Sequence, residues 1–166
     1  MAKATMSTSP VMSDATLRAS LGKIQDTLCY QLLNTGALAI GSGSKKKVKL
    51  VNTIYALMNG ALIKTTTAEV ALSGTVVNAT YNVFVITMTA AGTLTATMGT
   101  AGATLAAVVF PAIPASSVVL GWVEIHPSGT GNFVGATTDL DDGTVVPNAV
   151  YYNSPFPLNW TKMENL

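Results

Sequence analysis

Leu17, Leu21, Ile24, Leu28 and Leu32 recur at spacings of three or four residues, which places their side chains on one face of an α-helix. Ser13 is a suitable N-cap and Asp14 suits the positive end of the helix dipole, so the pattern predicts an amphipathic helix from about residue 13 to 35, ended by Gly36. Gly22 inside it costs about 1 kcal/mol relative to Ala, so the helix is expected to lean on another surface, of its own chain or of a partner. Residues 1–12 are mostly Ser, Thr, Ala and Met. They offer too little apolar surface for a core and read as a flexible arm. Beyond the small residues Gly41–Ser44, read as a hinge, the period changes from helical to alternating. Thr53–Met58 and Ala61–Thr66 flank Asn59 and Gly60, the pair that a type I′ hairpin turn favours. Further strands are predicted at Val70–Leu72, Thr75–Ala79, Asn82–Thr89, Thr93–Met98, Val118–Ile125 and Asn132–Val134, with Gly-rich turns between them. Parallel strands need long crossovers, which this region lacks. The fold class is therefore mainly β, an antiparallel sandwich or small barrel with an N-terminal arm and amphipathic helix.

Three regions follow: 1–44 as arm, helix and hinge, 45–144 as the β-rich body, and 145–166 as an extended aromatic C-terminal tail with Tyr151, Tyr152, Phe156 and Trp160. Within the body, Thr87, Thr89, Thr93, Thr95 and Thr97 alternate with Met88, Leu94, Ala96 and Met98. That alternation gives each of the two strands an expected core side and an expected solvated hydroxyl side.

Composition changes the picture in two ways. Charged residues are only 10% of the 166, beside 49% hydrophobic, whereas a typical soluble domain has about 25% charged. Such a surface is expected to be covered by hydroxyls and small residues or by neighbouring subunits. The charge is also unevenly placed. Residues 1–64 hold eight basic and two acidic side chains, and residues 65–161 hold five acidic and none basic. The halves carry +6 and −5, which points to an acidic partner for the first third, or to subunits docking positive arm against negative body. Without Lys or Arg, the body cannot build a phosphate clamp or nucleic-acid groove from its own side chains. No apolar run reaches the roughly 18 to 20 residues of a membrane span, and the first residues lack a secretory apolar core. Synthesis in the cytosol is expected.

Catalytic chemistry finds few candidates. His126 is the single histidine and Cys29 the single cysteine, so a hydrolytic base would have to be His126, with no GxSxG nucleophile to serve. Asp139–Gly143 (DLDDG) is the one acidic cluster, and it reads as a solvated Asx-type turn in preference to a calcium loop. A carbohydrate-cleaving pair would require Glu69 and Glu124 to face each other at about 5 to 9.5 Å. Lys45, Lys46, Lys47 and Lys49 form the strongest charge feature, read as a solvated strand edge that discourages aggregation, as a contact for an acidic protein face, or as a nucleic-acid contact, which the lack of Lys or Arg between Lys64 and Lys162 disfavours. No cofactor or metal is expected, and no enzyme activity. The candidate partner-binding residues are Leu17, Leu21, Ile24 and Leu28 on the helix face with Lys45, Lys46 and Lys47.

The run VKLVNTIYALMNGALIKTTTAEVALSGTVVNATYNVFVITMTAAGTLTATMGTAG, followed by LGWVEIHPSGTGNFVGATTDLD, resembles small virion proteins of tailed bacteriophages of the capsid decoration (cement) and head fibre type. Residues 48 to 142 carry the resemblance, through the Asn-Gly hairpin, the GTLT turn, the LGWVEI strand and the FVGATTDL ending. It implies a non-enzymatic protein of the virion surface, homo-oligomeric and most simply trimeric. Its partners would be the major capsid protein and itself, with neither nucleic acid nor membrane. A head or tail fibre module that binds the host surface is the alternative. The helix and the aromatic tail lie outside the resemblance.

Overall fold

The computed structural model describes residues 15–19, 21, 30–146 and 149–154. Residues 15–19 and 21 are helical. The remainder is mainly β, in antiparallel sheets packed like a sandwich, and no barrel closes. In chain order the strands are β1 Gln31–Leu32, β2 Leu38–Ile40, β3 Lys47–Leu50, β4 Ile54–Met58, β5 Ala61–Thr65, β6 Glu69–Ala71, β7 Thr75–Val76, β8 Asn82–Thr89, β9 Leu94–Met98, β10 Ser117–Ile125, β11 Phe133–Val134 and β12 Val150–Asn153. Among the described residues one 3-10 turn occurs, at Leu105–Ala107.

The largest sheet runs β12-β10-β8-β9. Beside it lie β2-β3-β6, β1-β4-β5 and the short pair β11-β7. β2 adjoins β12, where the Leu38 N–H donates to Asn153 Oδ1 at 2.8 Å, and β6 adjoins β9. One apolar core fills the space between the sheets, with Leu32, Leu50, Ile54, Phe84, Ile86, Leu120 and Phe133 fully buried in it. Phe84 meets Phe133 edge to face at 6.0 Å, an arrangement that aromatic quadrupoles favour. Burying side chains of this size stabilises by about 1.5–3 kcal/mol each.

The hairpin forms as its residues dictate. β4 pairs with β5 from Ile54↔Thr65 to Met58↔Ala61, and Asn59 and Gly60 turn between them at φ +50° and +78°. The six further strands expected between 70 and 134 are all present: Asn82–Thr89 with the same bounds, three trimmed by one to three residues, one longer by a residue and one shifted by a residue.

Three expectations for the first third are corrected. The helical period does not continue to Gly36. Tyr30 sits at φ +60°, and Leu32, fifth in the helical series, lies in β1 opposite Ala56. Asn34 secures that pairing by donating from Nδ2 to the Thr53 carbonyl while its Oδ1 accepts the Tyr55 N–H, each at 2.7 Å. Gly36 packs against β4 instead of capping a helix. A methyl group there would fall 2.5 Å from Ile54 Cδ1, and its carbonyl accepts the Val51 and Asn52 N–H groups. Gly41–Ser44 is no hinge. It is the turn of the β2–β3 hairpin, closed by Gly41 N–H to the Lys47 carbonyl at 2.7 Å and Lys47 N–H to the Ser44 carbonyl at 3.1 Å. The β fold thus begins before residue 45, and it continues past 144 through β12.

The solvated hydroxyl side holds on β9, where Thr95 is exposed, and is corrected on β8. Seven of the eight residues of β8 are buried. Phe84, Ile86 and Met88 belong to the main core, while Val83, Val85 and Thr87 are buried on the opposite face. Thr87 is fully covered, its hydroxyl 2.6 Å from that of its cross-strand partner Thr95. A hydroxyl pair satisfied in this way tolerates burial that a lone hydroxyl would not. β10 carries a bulge between Val119 and Gly121 that shifts its alternation by one. Val118, Leu120, Val123 and Ile125 therefore reach the core, while Val119, Trp122 and Glu124 share the outer face.

Candidate functional site

The basic third and the acidic body meet within the chain, around the β2–β3 turn. Lys45 Nζ lies 2.7 Å from Asp141 Oδ2, and the Lys45 carbonyl accepts the Leu140 N–H at 2.9 Å. Both side chains of the ion pair are exposed, so the pair contributes little stability in water. The hydrogen bond and charge of Asp141 raise the Lys45 pKa.

Glu69 organises the other side of the turn. Its Oε1 accepts the Ser42 N–H at 2.8 Å and the Gly43 N–H at 3.0 Å, and Lys49 donates to the Ser42 hydroxyl. Lys49 pairs with Glu69 across β3 and β6. The Gly43 and Ser42 backbone donors, then the charges of Lys47 and Lys49, hold the Glu69 carboxyl below the ordinary carboxylate range. An open groove of about 450 Å³ lies beside this cluster, with Lys49, Val51, Thr67 and Glu69 on its walls.

The lysine run is not on a strand edge. β3 is the central strand of its sheet, between β2 and β6, so its backbone is already paired and its lysines guard no open ladder. Lys46 and Lys47 are half-buried, whereas Lys45 is exposed. Of the helix residues expected to bind a partner, Leu17 and Leu21 are 40% and 54% exposed. Ile24 and Leu28 lie outside the described residues.

Asp139–Gly143 folds as the Asx-type turn its sequence suggests. Asp142 Oδ1 accepts the Thr144 N–H at 2.9 Å, the Thr144 hydroxyl at 2.6 Å and the Val145 N–H at 3.3 Å. Those bonds, the hydroxyl's first, lower the Asp142 pKa. Among the described residues no group of three or more His, Cys, Asp or Glu gathers as metal ligands. His126 is half-buried and stacks on Tyr81, ring centroids 3.7 Å apart and nearly parallel. Glu124 is on the outer face of the large sheet, accepting from the Tyr152 hydroxyl at 3.3 Å. Glu69 is on the β2-β3-β6 sheet, so the two glutamates have separate partners on separate sheets and do not form a facing pair.

One feature of the surface has no counterpart among the sequence candidates. Trp122 and Tyr152 are cross-strand partners on β10 and β12, stacked at 5.3 Å, and Phe110 meets Trp122 edge to face at 5.5 Å. The bulge in β10 puts Trp122 on this face, and strand alternation without the bulge would have hidden it. The aromatic content of 145–166 was the one available signal. Tyr151, next along β12, points the other way. Burial, then the charge of Asp141, pushes its phenol up to about 12, and its buried hydroxyl has no hydrogen-bond partner.

No protein-family model, curated protein or solved structure matches this chain.

Proposed function

We propose that this is a structural, non-enzymatic virion protein of the capsid decoration type, homo-oligomeric and most simply trimeric. It would bind the major capsid protein on the outer shell and stabilise contacts between capsomers. The observation that carries the reading is the helix ahead of the β body, in which all six described residues are exposed, the leucines of its apolar face included. An amphipathic helix draws most of its stability from covering that face, so a partner surface is the fitting complement. The resemblance of residues 48–142 to phage surface proteins supplies the class of partner. The low charge of the chain, 10%, suits a protein that spends its working life packed against copies of itself and a shell.

Cement action needs no reacting group. Each subunit that bridges a seam adds apolar area that must be exposed before capsomers separate, worth about 25 cal/mol per Å². A head or tail fibre module is the second reading, favoured by the exposed aromatic residues on the large sheet. Quantifying the protein in purified virions tests both. Hundreds of copies per particle support the decoration reading, a handful support the fibre, and absence from virions refutes both.

A further inference from the structure

The outer face of the large sheet is overlaid by the chain between β9 and β10. Thr100 and Val109 bridge to each other, and Phe110 rests on Trp122. From Leu105 to Ala115 this segment contains no polar side chain. Leu105, Val109 and Phe110 are nevertheless 46%, 60% and 48% exposed, and Val150 and Tyr152 continue the exposed apolar surface on β12. Contiguous apolar surface on a soluble domain marks a place that something covers.

The sequence beyond Ser154 offers an occupant for it. It leaves the described structure at Ser154, whose N–H donates to the Leu120 carbonyl at 3.0 Å, two residues after Tyr152. The sequence continues Pro155, Phe156, Pro157, Leu158, Asn159, Trp160. Two prolines in three residues oppose a helix and remove strand donors. The alternation of Phe156, Leu158 and Trp160 would place three large apolar side chains on one side of an extended chain. Residues 155–166 can span up to about 40 Å at about 3.3 Å per residue. Phe110 is only two ring contacts, of 5.3 and 5.5 Å, from Tyr152. Charge agrees with apolarity. Glu124 is the only charged residue of β8, β9, β10 and β12, and Lys162 is the first cation in the sequence after Lys64.

We propose that the C-terminal segment, residues 155–166, docks across the apolar face formed by Leu105–Phe110, Trp122 and Tyr152 of its own copy. The inference is independent of the virion reading. Phe156, Leu158 and Trp160 are the anchors, and Lys162 faces the Glu124 side of the surface.

Trp122 and Trp160 are the two tryptophans of the chain, so the full-length Trp122→Phe variant reports on Trp160 alone. Its emission should be blue-shifted and shielded from acrylamide, equally at every protein concentration. It should become solvent-like when Val109→Asp and Phe110→Asp are added. In the protein with both tryptophans, amide exchange across 105–110 should speed up at least about tenfold when the chain is stopped after Ser154, which corresponds to about 1.4 kcal/mol of docking free energy. Circular dichroism of each variant verifies that the β body remains folded. Solvent-like Trp160 emission, with exchange at 105–110 unchanged by truncation, overturns the proposal. Shielding that disappears on dilution overturns it as well, because the cover would then be a second copy.

Discussion

Replacing Gly121 by Ala should destabilise the fold more than the same change at any fully open glycine. Gly121 lies at the β10 bulge with φ +153°. A Cβ there would press into the Tyr152 carbonyl oxygen on β12 and lie 2.8 Å from Leu38 Cδ1 and 3.1 Å from Asn153 Cα. Two of those three neighbours are backbone atoms of a paired strand and cannot rotate away. Strain at such a φ costs about 1–3 kcal/mol, and overpacking against fixed neighbours about 1–3 kcal/mol more. A loss of about 3–5 kcal/mol is a large part of the roughly 5–15 kcal/mol that holds a domain together. With a urea m-value of about 2 kcal/mol/M, the unfolding midpoint should fall by about 2 M. The chain provides its own controls. Gly60 has φ +78° with nothing within 4 Å of an added Cβ, and Gly143 has neither a positive φ nor a neighbour. Gly60→Ala should therefore lose about 1–2 kcal/mol, and Gly143→Ala less than about 0.5 kcal/mol. If urea titrations place Gly121→Ala level with Gly143→Ala, the close approach of β10, β12 and β2 is not what holds that edge of the sheet.

Deleting residues 1–29 should abolish binding to particles while the β body keeps its melting transition; unchanged occupancy on particles would move the attachment to a sheet face. Glu69→Gln should lower the melting temperature at pH 7. Because the folded pKa of Glu69 lies below its ordinary 4.5, its contribution is present above that value and disappears as the pH falls through the folded pKa, so the gap between the two melts should close in acid. Tyr151→Phe should be neutral or stabilising by about 1 kcal/mol, since it removes a buried hydroxyl that has no partner; a clear loss in thermal melts would mean that the hydroxyl is satisfied in solution. Sedimentation of the purified protein should give a multiple of 17.1 kDa, threefold under the decoration reading, and a stable monomer would remove the compositional argument for assembly.

The readable part of the fold is the part in which local and long-range preferences agree. Asn59-Gly60 specifies its turn whatever surrounds it, and β8 reads as a strand because residues 82–89 are rich in β-branched and aromatic side chains. Leu32 shows the opposite case. It lies four residues after Leu28, so helical spacing claims it, yet two residues of strand with Asn34 as clamp bury it completely. Pairs as short as β1 and β4 leave no periodicity to detect. The β10 bulge leaves one local sign, the isolated Gly121 within a strand pattern, and pairing with β8 is what shows the shift in register. On the threonine strands the alternation is legible and holds: Met88, Leu94, Ala96 and Met98 face the core and Thr93 and Thr95 stay exposed, while the cover over Thr87 has no signature in the local pattern.

The candidate site was legible in its charges and not in their arrangement. From the sequence, a +6 third and a −5 body suggest attraction between subunits. In the fold part of that attraction is already used within one copy, by Lys45 with Asp141 and by Glu69 beside Lys47 and Lys49. Charge therefore has less left to contribute between copies than the split implies, and apolar contact must carry more of any assembly. The two contributions respond oppositely to salt. Screening shortens the Debye length to about 3 Å at 1 M, while strongly excluded salts such as sulfate strengthen apolar burial. Changing Lys45, Lys46 and Lys47 together to Gln should accordingly slow assembly at low ionic strength and have little effect at high ionic strength, with the final affinity nearly the same. Equal loss at every salt concentration would mean that these lysines are buried in a specific contact, and the exposed Lys45–Asp141 pair would then have to open before a partner could bind.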